Sequence, residues 1–156
     1  DKFFEMSLRQ LSVVLLSAVA LSNAACPSSD WIEYGGTNKC FKFDPEAKMS
    51  YKAAVMHCEQ MGATLVSVCS FFENQFVRGI TRGADTWIEP KTDCDYKNYL
   101  AGNEPSPVKE CRVITEDWDG QWTSADCETE KHHVICSMKA PLLSNRFFRF
   151  RRFFHI

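Results

Sequence analysis

No apolar run in the 156-residue chain is long enough to cross a bilayer, which needs about 20 residues. None of the eight cysteines forms a C-x-x-C pair, the close spacing of structural zinc sites, although His132 and His133 sit between Cys127 and Cys136. No Asn-x-Ser/Thr sequon is present, so N-glycosylation is not expected. An activated-nucleophile motif is missing too. His57 lies in a helical stretch beside Cys58, and Asp117 and Asp119 have no diagnostic spacing, so no enzyme is expected. A basic surplus is also lacking. Residues 25–145 carry 12 Lys+Arg against 18 Asp+Glu, a net of −6, which argues against nucleic acid as the main partner. There is no internal repeat, and the length suits one domain.

What is present begins with a leader. Arg9, the eleven-residue apolar run Leu11–Leu21 and the small residues Ser22-Asn23-Ala24 read as a secretory signal cleaved after Ala24. Asp1–Glu5 precede Met6 and are set aside as upstream sequence. The expected organisation is therefore 1–24 upstream residues and signal, 25–139 a single domain, and 140–156 a tail. The predicted location of the mature protein is extracellular. All eight cysteines follow the leader, and an even count in a secreted domain implies a disulfide framework, with 105 possible pairings that spacing alone leaves open. The tail from Arg146 has four arginines among phenylalanines and no acid. Its phenylalanines fit neither a helical nor an alternating period. An unstructured extension is expected, with attraction to anionic membrane surfaces as the alternative.

Between leader and tail the patterning predicts an α+β domain. Residues 26–43 read as a hairpin around Gly35-Gly36, with Cys26 and Cys40 placed to staple its strands. Ser50 is the predicted cap of a helix over 51–61 that Gly62 stops. Residues 63–68 read as a strand. Ser70-Phe71-Phe72-Glu73 has capping-box spacing and opens a second helix that ends at Gly83. Thr86-Trp87-Ile88 is a short strand, and residues 89–110, with three prolines, read as a long functional loop. Cys111–Ile114, Gln121–Thr123 and His133–Cys136 read as strands. Trp31, Trp87 and Trp122 are assigned to the core, whereas Tyr96, Tyr99 and Trp118 lie in loop-like sequence as stacking platforms.

This order, together with Trp87-Ile88, Glu104-Pro105, the Cys111/Cys127 spacing, Trp122, Val134-Ile135-Cys136 and Glu73-Asn74-Gln75-Phe76-Val77, resembles the long form of the C-type lectin-like domain. The resemblance covers Cys26 to about Ser137. It implies disulfides Cys26–Cys40, Cys58–Cys136 and Cys111–Cys127, and leaves Cys69 and Cys94 for each other. Two departures stand out: Glu89-Pro90 follows Trp87-Ile88 where the family has Gly-Leu, and Tyr99 replaces a tryptophan.

The resemblance implies recognition of a glycan. In sugar-binding members, Glu-Pro-Asn, a glutamate before the next cysteine and the Asn-Asp after the strand tryptophan hold calcium and sugar together. Here Glu104 and Pro105 match, the latter with an expected cis peptide bond. Ser106 replaces the Asn, Lys109 stands at the second glutamate with Glu110 one place off, and Thr123-Ser124 replace Asn-Asp. Calcium wants six to eight oxygens, several from carboxylates. No cofactor is therefore expected, and Glu104 is the one candidate for a residual calcium site. The acidic turn Glu116-Asp117-Trp118-Asp119 is read as solvated rather than metal-binding. The candidate ligand-binding residues are Glu104, Ser106, Glu110, Thr123, Ser124, Tyr99 and Trp118. The expected partner is a glycan or, alternatively, an extracellular protein bound without calcium on the same scaffold.

Overall fold

A computed structural model describes residues 26–35, 37–91, 94–102, 104–116 and 119–141. The predicted leader, the residues before it, Trp118 and residues 142–156 of the predicted tail lie outside the described residues. Strands β1 (Ile32–Tyr34) and β2 (Lys39–Met49) form the expected hairpin, and helix α1 (Tyr51–Gln60) follows. Next come β3 (Thr64–Leu65), α2 (Phe71–Thr81) and β4 (Thr86–Ile88). After the long loop, β5 (Cys111–Ile114), β6 (Trp122–Ala125) and β7 (His132–Lys139) complete the chain. The strands make one seven-stranded sheet in the order β1-β2-β7-β4-β5-β6, with β3 paired to β7. Every pairing is antiparallel except β4 with β7.

The apolar runs of the central strands are continuous because the sheet is covered on both faces. Successive strand residues point to opposite sides. Trp87, Val113, Val134 and Cys136 accordingly join one core with Ala54 and Cys58 of α1. Their neighbours Ile88, Ile114 and Ile135 join a second core with Val77 of α2 and Trp122. All three predicted core tryptophans are buried. Trp87 donates its Nε1 proton to the Met49 carbonyl at 2.7 Å, so the indole is buried without stranding its polar atom.

Several local expectations shift by a residue or more. β2 runs on to Met49, past Pro45, because the register slips between Asp44 and Lys48 and so spares the proline a ladder bond. Ser50 occupies the N-cap position of α1 with an extended backbone, yet its side chain caps nothing. The first helical amide, Tyr51 N–H, instead donates to the Cys127 carbonyl at 3.3 Å. Only Thr64 and Leu65 of the predicted 63–68 strand are laddered, and beyond them Val66 bonds singly to Ile135 and Glu89. At α2 the capping box is half displaced. Ser70 Oγ accepts the Glu73 N–H at 3.1 Å, while the Glu73 carboxylate reaches one residue further, to the Cys69 N–H at 2.8 Å.

Four disulfides are present: Cys26–Cys40, Cys58–Cys136 and Cys111–Cys127, which the resemblance implied, and Cys69–Cys94, between the two cysteines it left over. The first staples the hairpin. At the same edge Ala140 N–H donates to the Asn38 carbonyl at 2.6 Å, which brings the two ends of the described domain together. Closing the 25-residue span from Cys69 to Cys94 is worth on the order of 3 kcal/mol in the chain-entropy account.

Candidate functional site

The long loop is held to the sheet by Trp122. Tyr99 forms an isolated bridge with that residue, Trp122 N–H donates to the Asn98 carbonyl at 2.7 Å, and Leu100 N–H donates to the Trp122 carbonyl at 2.9 Å. The rings of Tyr96 and Tyr99 turn edges onto the indole at 5.7 and 5.5 Å. On the opposite side, Trp122 Nε1 donates to Asn74 Oδ1 at 2.8 Å, and Asn74 Nδ2 donates to the Gly120 carbonyl at 3.0 Å. Asn98 Nδ2 shares that carbonyl at 2.9 Å. A residue of α2 and a residue of the loop thus meet on one buried tryptophan and one turn.

The loop then passes through a cis peptide bond between Glu104 and Pro105 and forms an open depression. Its lining is Gly102, Glu104, Pro105, Ser106, Pro107, Lys109 and Ser124. Glu104 Oε2 accepts the Ser124 N–H at 2.9 Å, the Ser106 N–H at 3.2 Å and the Ser124 hydroxyl. Ser124 Oγ in turn accepts the Ser106 N–H at 2.7 Å. No described residue donates to Glu104 Oε1. Burial alone would raise the Glu104 carboxyl pKa. The Ser124 hydroxyl and amide, the Ser106 amide and the Arg112 charge outweigh it and hold the carboxyl below its ordinary value.

Arg112 is fixed behind this site. Its Nη1 donates to the carbonyls of Lys109 at 2.5 Å and Cys111 at 2.8 Å, and its guanidinium carbon lies 5.8 Å from the Tyr99 ring centre. Lys109 Nζ pairs with Glu130 Oε1 at 2.9 Å. The same Glu130 oxygen accepts the Asp126 N–H at 3.0 Å, and His132 Nε2 lies 3.1 Å from Oε2. Desolvation opposes ionisation of Glu130, but the Asp126 amide, Lys109 and His132 outweigh it and bring its pKa down to about 2.

Of the residues singled out from sequence, Glu104, Ser106 and Ser124 come together, with Lys109 on the rim. Thr123 and Glu110 lie outside the lining, since alternation along β6 turns Thr123 away from the Ser124 side. Tyr99 is half-buried against Trp122, which leaves it under the loop rather than on top of it. Asn74, Asn98, Arg112 and Glu130 were not anticipated. Asn74 lay inside a quoted motif, but no local pattern signals a polar side chain meant for a distant indole.

This donor set does not fit calcium. It offers one carboxylate, already saturated on one oxygen, two hydroxyls and an ammonium whose charge opposes the ion. Among the described residues no group of three or more His, Cys, Asp or Glu side chains converges as metal ligands.

The family model "Lectin C-type domain" matches residues 47–138, and the chain belongs to that family. C-type mannose receptor 2 of Homo sapiens is 26% identical over 119 residues, 66% of this chain, but the chain spans only 8% of that protein. Ladderlectin of Oncorhynchus mykiss is 30% identical over 122 residues, which are 65% of this chain and 62% of ladderlectin. Among solved structures, a calcium-independent type II antifreeze protein shares the fold with a TM-score of 0.65 at 24% identity, covering 75% of this chain and 96% of that one. The family is one of binding modules.

Proposed function

We propose that the chain is an extracellular recognition domain that binds carbohydrate without calcium, at the depression around Glu104. The observation that carries this reading is the division of labour within one carboxylate. Oε2 is engaged by Ser124 and Ser106, so Glu104 is held in place and ionised without a metal. Among the described residues nothing donates to Oε1, which serves as a charged acceptor for a ligand hydroxyl, and charge-assisted bonds of this kind are the stronger ones. Lys109 on the same rim supplies donors. An acceptor beside a donor suits neighbouring sugar hydroxyls, each of which can play either part. The extracellular setting is supported by the four disulfides, and the choice of carbohydrate by the family and by relatives named as lectins.

The test is glycan-array binding with calcium and then with chelator, alongside thermal unfolding under both conditions. Binding is expected to survive chelation, with midpoints agreeing within about 1 °C, because an ion that binds only the native state would raise the midpoint. Glu104→Gln is expected to weaken glycan binding at least tenfold. A calcium-dependent rise in midpoint, or glycan binding that requires the ion, would overturn the reading. A protein ligand is the second reading, favoured by Val108, which stands 84% exposed on the same loop between Pro107 and Lys109. Silence on the array with capture of an extracellular protein that Val108→Ser abolishes would decide for it.

A further inference from the structure

A second depression lies away from the long loop's rim and shares no lining residue with the first. It is a cleft of about 310 Å³ at the paired ends of β2 and β7, bounded by Lys39, Gly62, Ala63, Thr64, Ser67, Lys91, Ser137, Met138 and Lys139. Three of these nine residues are lysines and none is acidic, in a domain that is otherwise net negative. Lys39 is neutralised by Glu73 at 2.6 Å. Among the described residues neither Lys91 nor Lys139 has an ion-pair partner, and both are exposed.

Two further observations point to a ligand rather than to solvated surface charge. Ser67 and Ser137 are only 4% and 8% exposed, and among the described residues their hydroxyls form no hydrogen bond. Both hydroxyls keep an opening to the cleft, so each presents a donor and an acceptor without a protein partner to whatever enters it. They line a cleft that Lys91 and Lys139 also line, both unpaired among the described residues, while Gly62 and Ala63 add an apolar wall.

We infer that this cleft is a second ligand site, for the sulfate ester of a saccharide. The Lys91 and Lys139 ammonium groups neutralise the anionic ester, the Ser67 and Ser137 hydroxyls donate to its oxygens, and the sugar ring lies along the Gly62–Ala63 edge. A phosphate ester offers the same tetrahedral oxygens, and the two sources are separated by experiment. The inference stands independently of the Glu104 reading, because neither site contributes a residue to the other.

The test uses the full chain with its disulfides intact and titrates an O-sulfated tetrasaccharide, the unsulfated parent and the phosphorylated counterpart. The sulfated form is expected to bind at least tenfold more tightly than the parent and to weaken with added salt. The double variant Lys91→Gln/Lys139→Gln should lose at least tenfold in affinity. Lys48→Gln/Lys52→Gln removes the same charge from exposed positions outside the cleft and should lose less than twofold. Ser67→Ala should lose several-fold with an unchanged salt dependence. Equal losses from the two lysine pairs would reduce the effect to general electrostatics and overturn the proposal, as would tighter binding of the phosphorylated form. Glu104→Gln leaves sulfate-dependent binding intact if the inference holds, so the two sites fail separately. Lys39 is avoided as a probe because its loss would leave Glu73 uncompensated.

Discussion

Two glutamates, one in the body of the domain and one in the long loop, are treated alike on one oxygen and oppositely on the other. Glu73, 4% exposed, gives Oε2 to the Cys69 amide and Oε1 to Lys39. Glu104 gives Oε2 to two amides and a hydroxyl and leaves Oε1 without a described donor. A saturated carboxylate is a fastening, tying α2 to the start of β2. A half-saturated one is equally fixed in position but keeps an acceptor in reserve. The contrast separates the two carboxylates more sharply than burial does, because both are ordered by backbone amide contacts.

Breaking the saturated case should cost most. Lys39→Ala leaves a buried carboxylate without its cation and is expected to lower stability by about 2 kcal/mol, below the usual loss for a fully buried pair because the lysine is 30% exposed. Urea unfolding measures it, and Lys39→Ala/Glu73→Leu should recover part of the loss. Glu130 tests the intermediate case. Its carboxyl is depressed from 4.5 to about 2, so the stability it confers is present above pH 4.5 and is lost as pH falls toward 2. Discounted for its exposure, that contribution is about 1 kcal/mol, and Glu130→Gln should flatten the acid limb of the pH–stability curve by this amount. The smallest effect belongs to Ser124→Ala. It removes one of three donors to Glu104 and is expected to cost about 0.5 kcal/mol. NMR titration should show the Glu104 carboxyl moving up toward its ordinary value. An Lys39→Ala effect no larger than that of Ser124→Ala would remove the distinction between the two glutamates.

The elements of the body were legible because their signals are local or periodic. Ser70 and Glu73 sit three apart, Gly62 and Gly83 close their helices with positive φ, and the unbroken runs at Trp87-Ile88 and Val134-Ile135 mark strands buried on both faces. Pairing the cysteines needed the family resemblance, since spacing alone permits any arrangement. In the loop, Glu104, Ser106 and Ser124 were found as positions, but their bonding was not. A serine where an aspartate stands in sugar-binding members reads from sequence as a lost ligand. In the fold its hydroxyl and amide both turn to Glu104. The Asn74–Trp122 bond spans 48 positions, and the Lys109–Glu130 pair crosses between segments separated by 21. Such contacts follow from strand order, which composition does not encode.

The neighbouring ends of the domain also set how it would bear tension. A pull between Cys26 and Ala140 enters through the Cys26–Cys40 bridge and reaches the first rungs of the β2–β7 ladder, Lys39 with Lys139 and Cys40 with Met138. Those rungs can open one at a time as far as Cys136, where the link to Cys58 takes the load. The covalent path then runs through residues 40–58 and 136–140 alone. Everything between Cys58 and Cys136 hangs from that path as a closed side loop, including α2, the Glu104 depression and the other two disulfides. A domain strung in a longer polypeptide could therefore be stretched at its ends while its long loop goes unloaded.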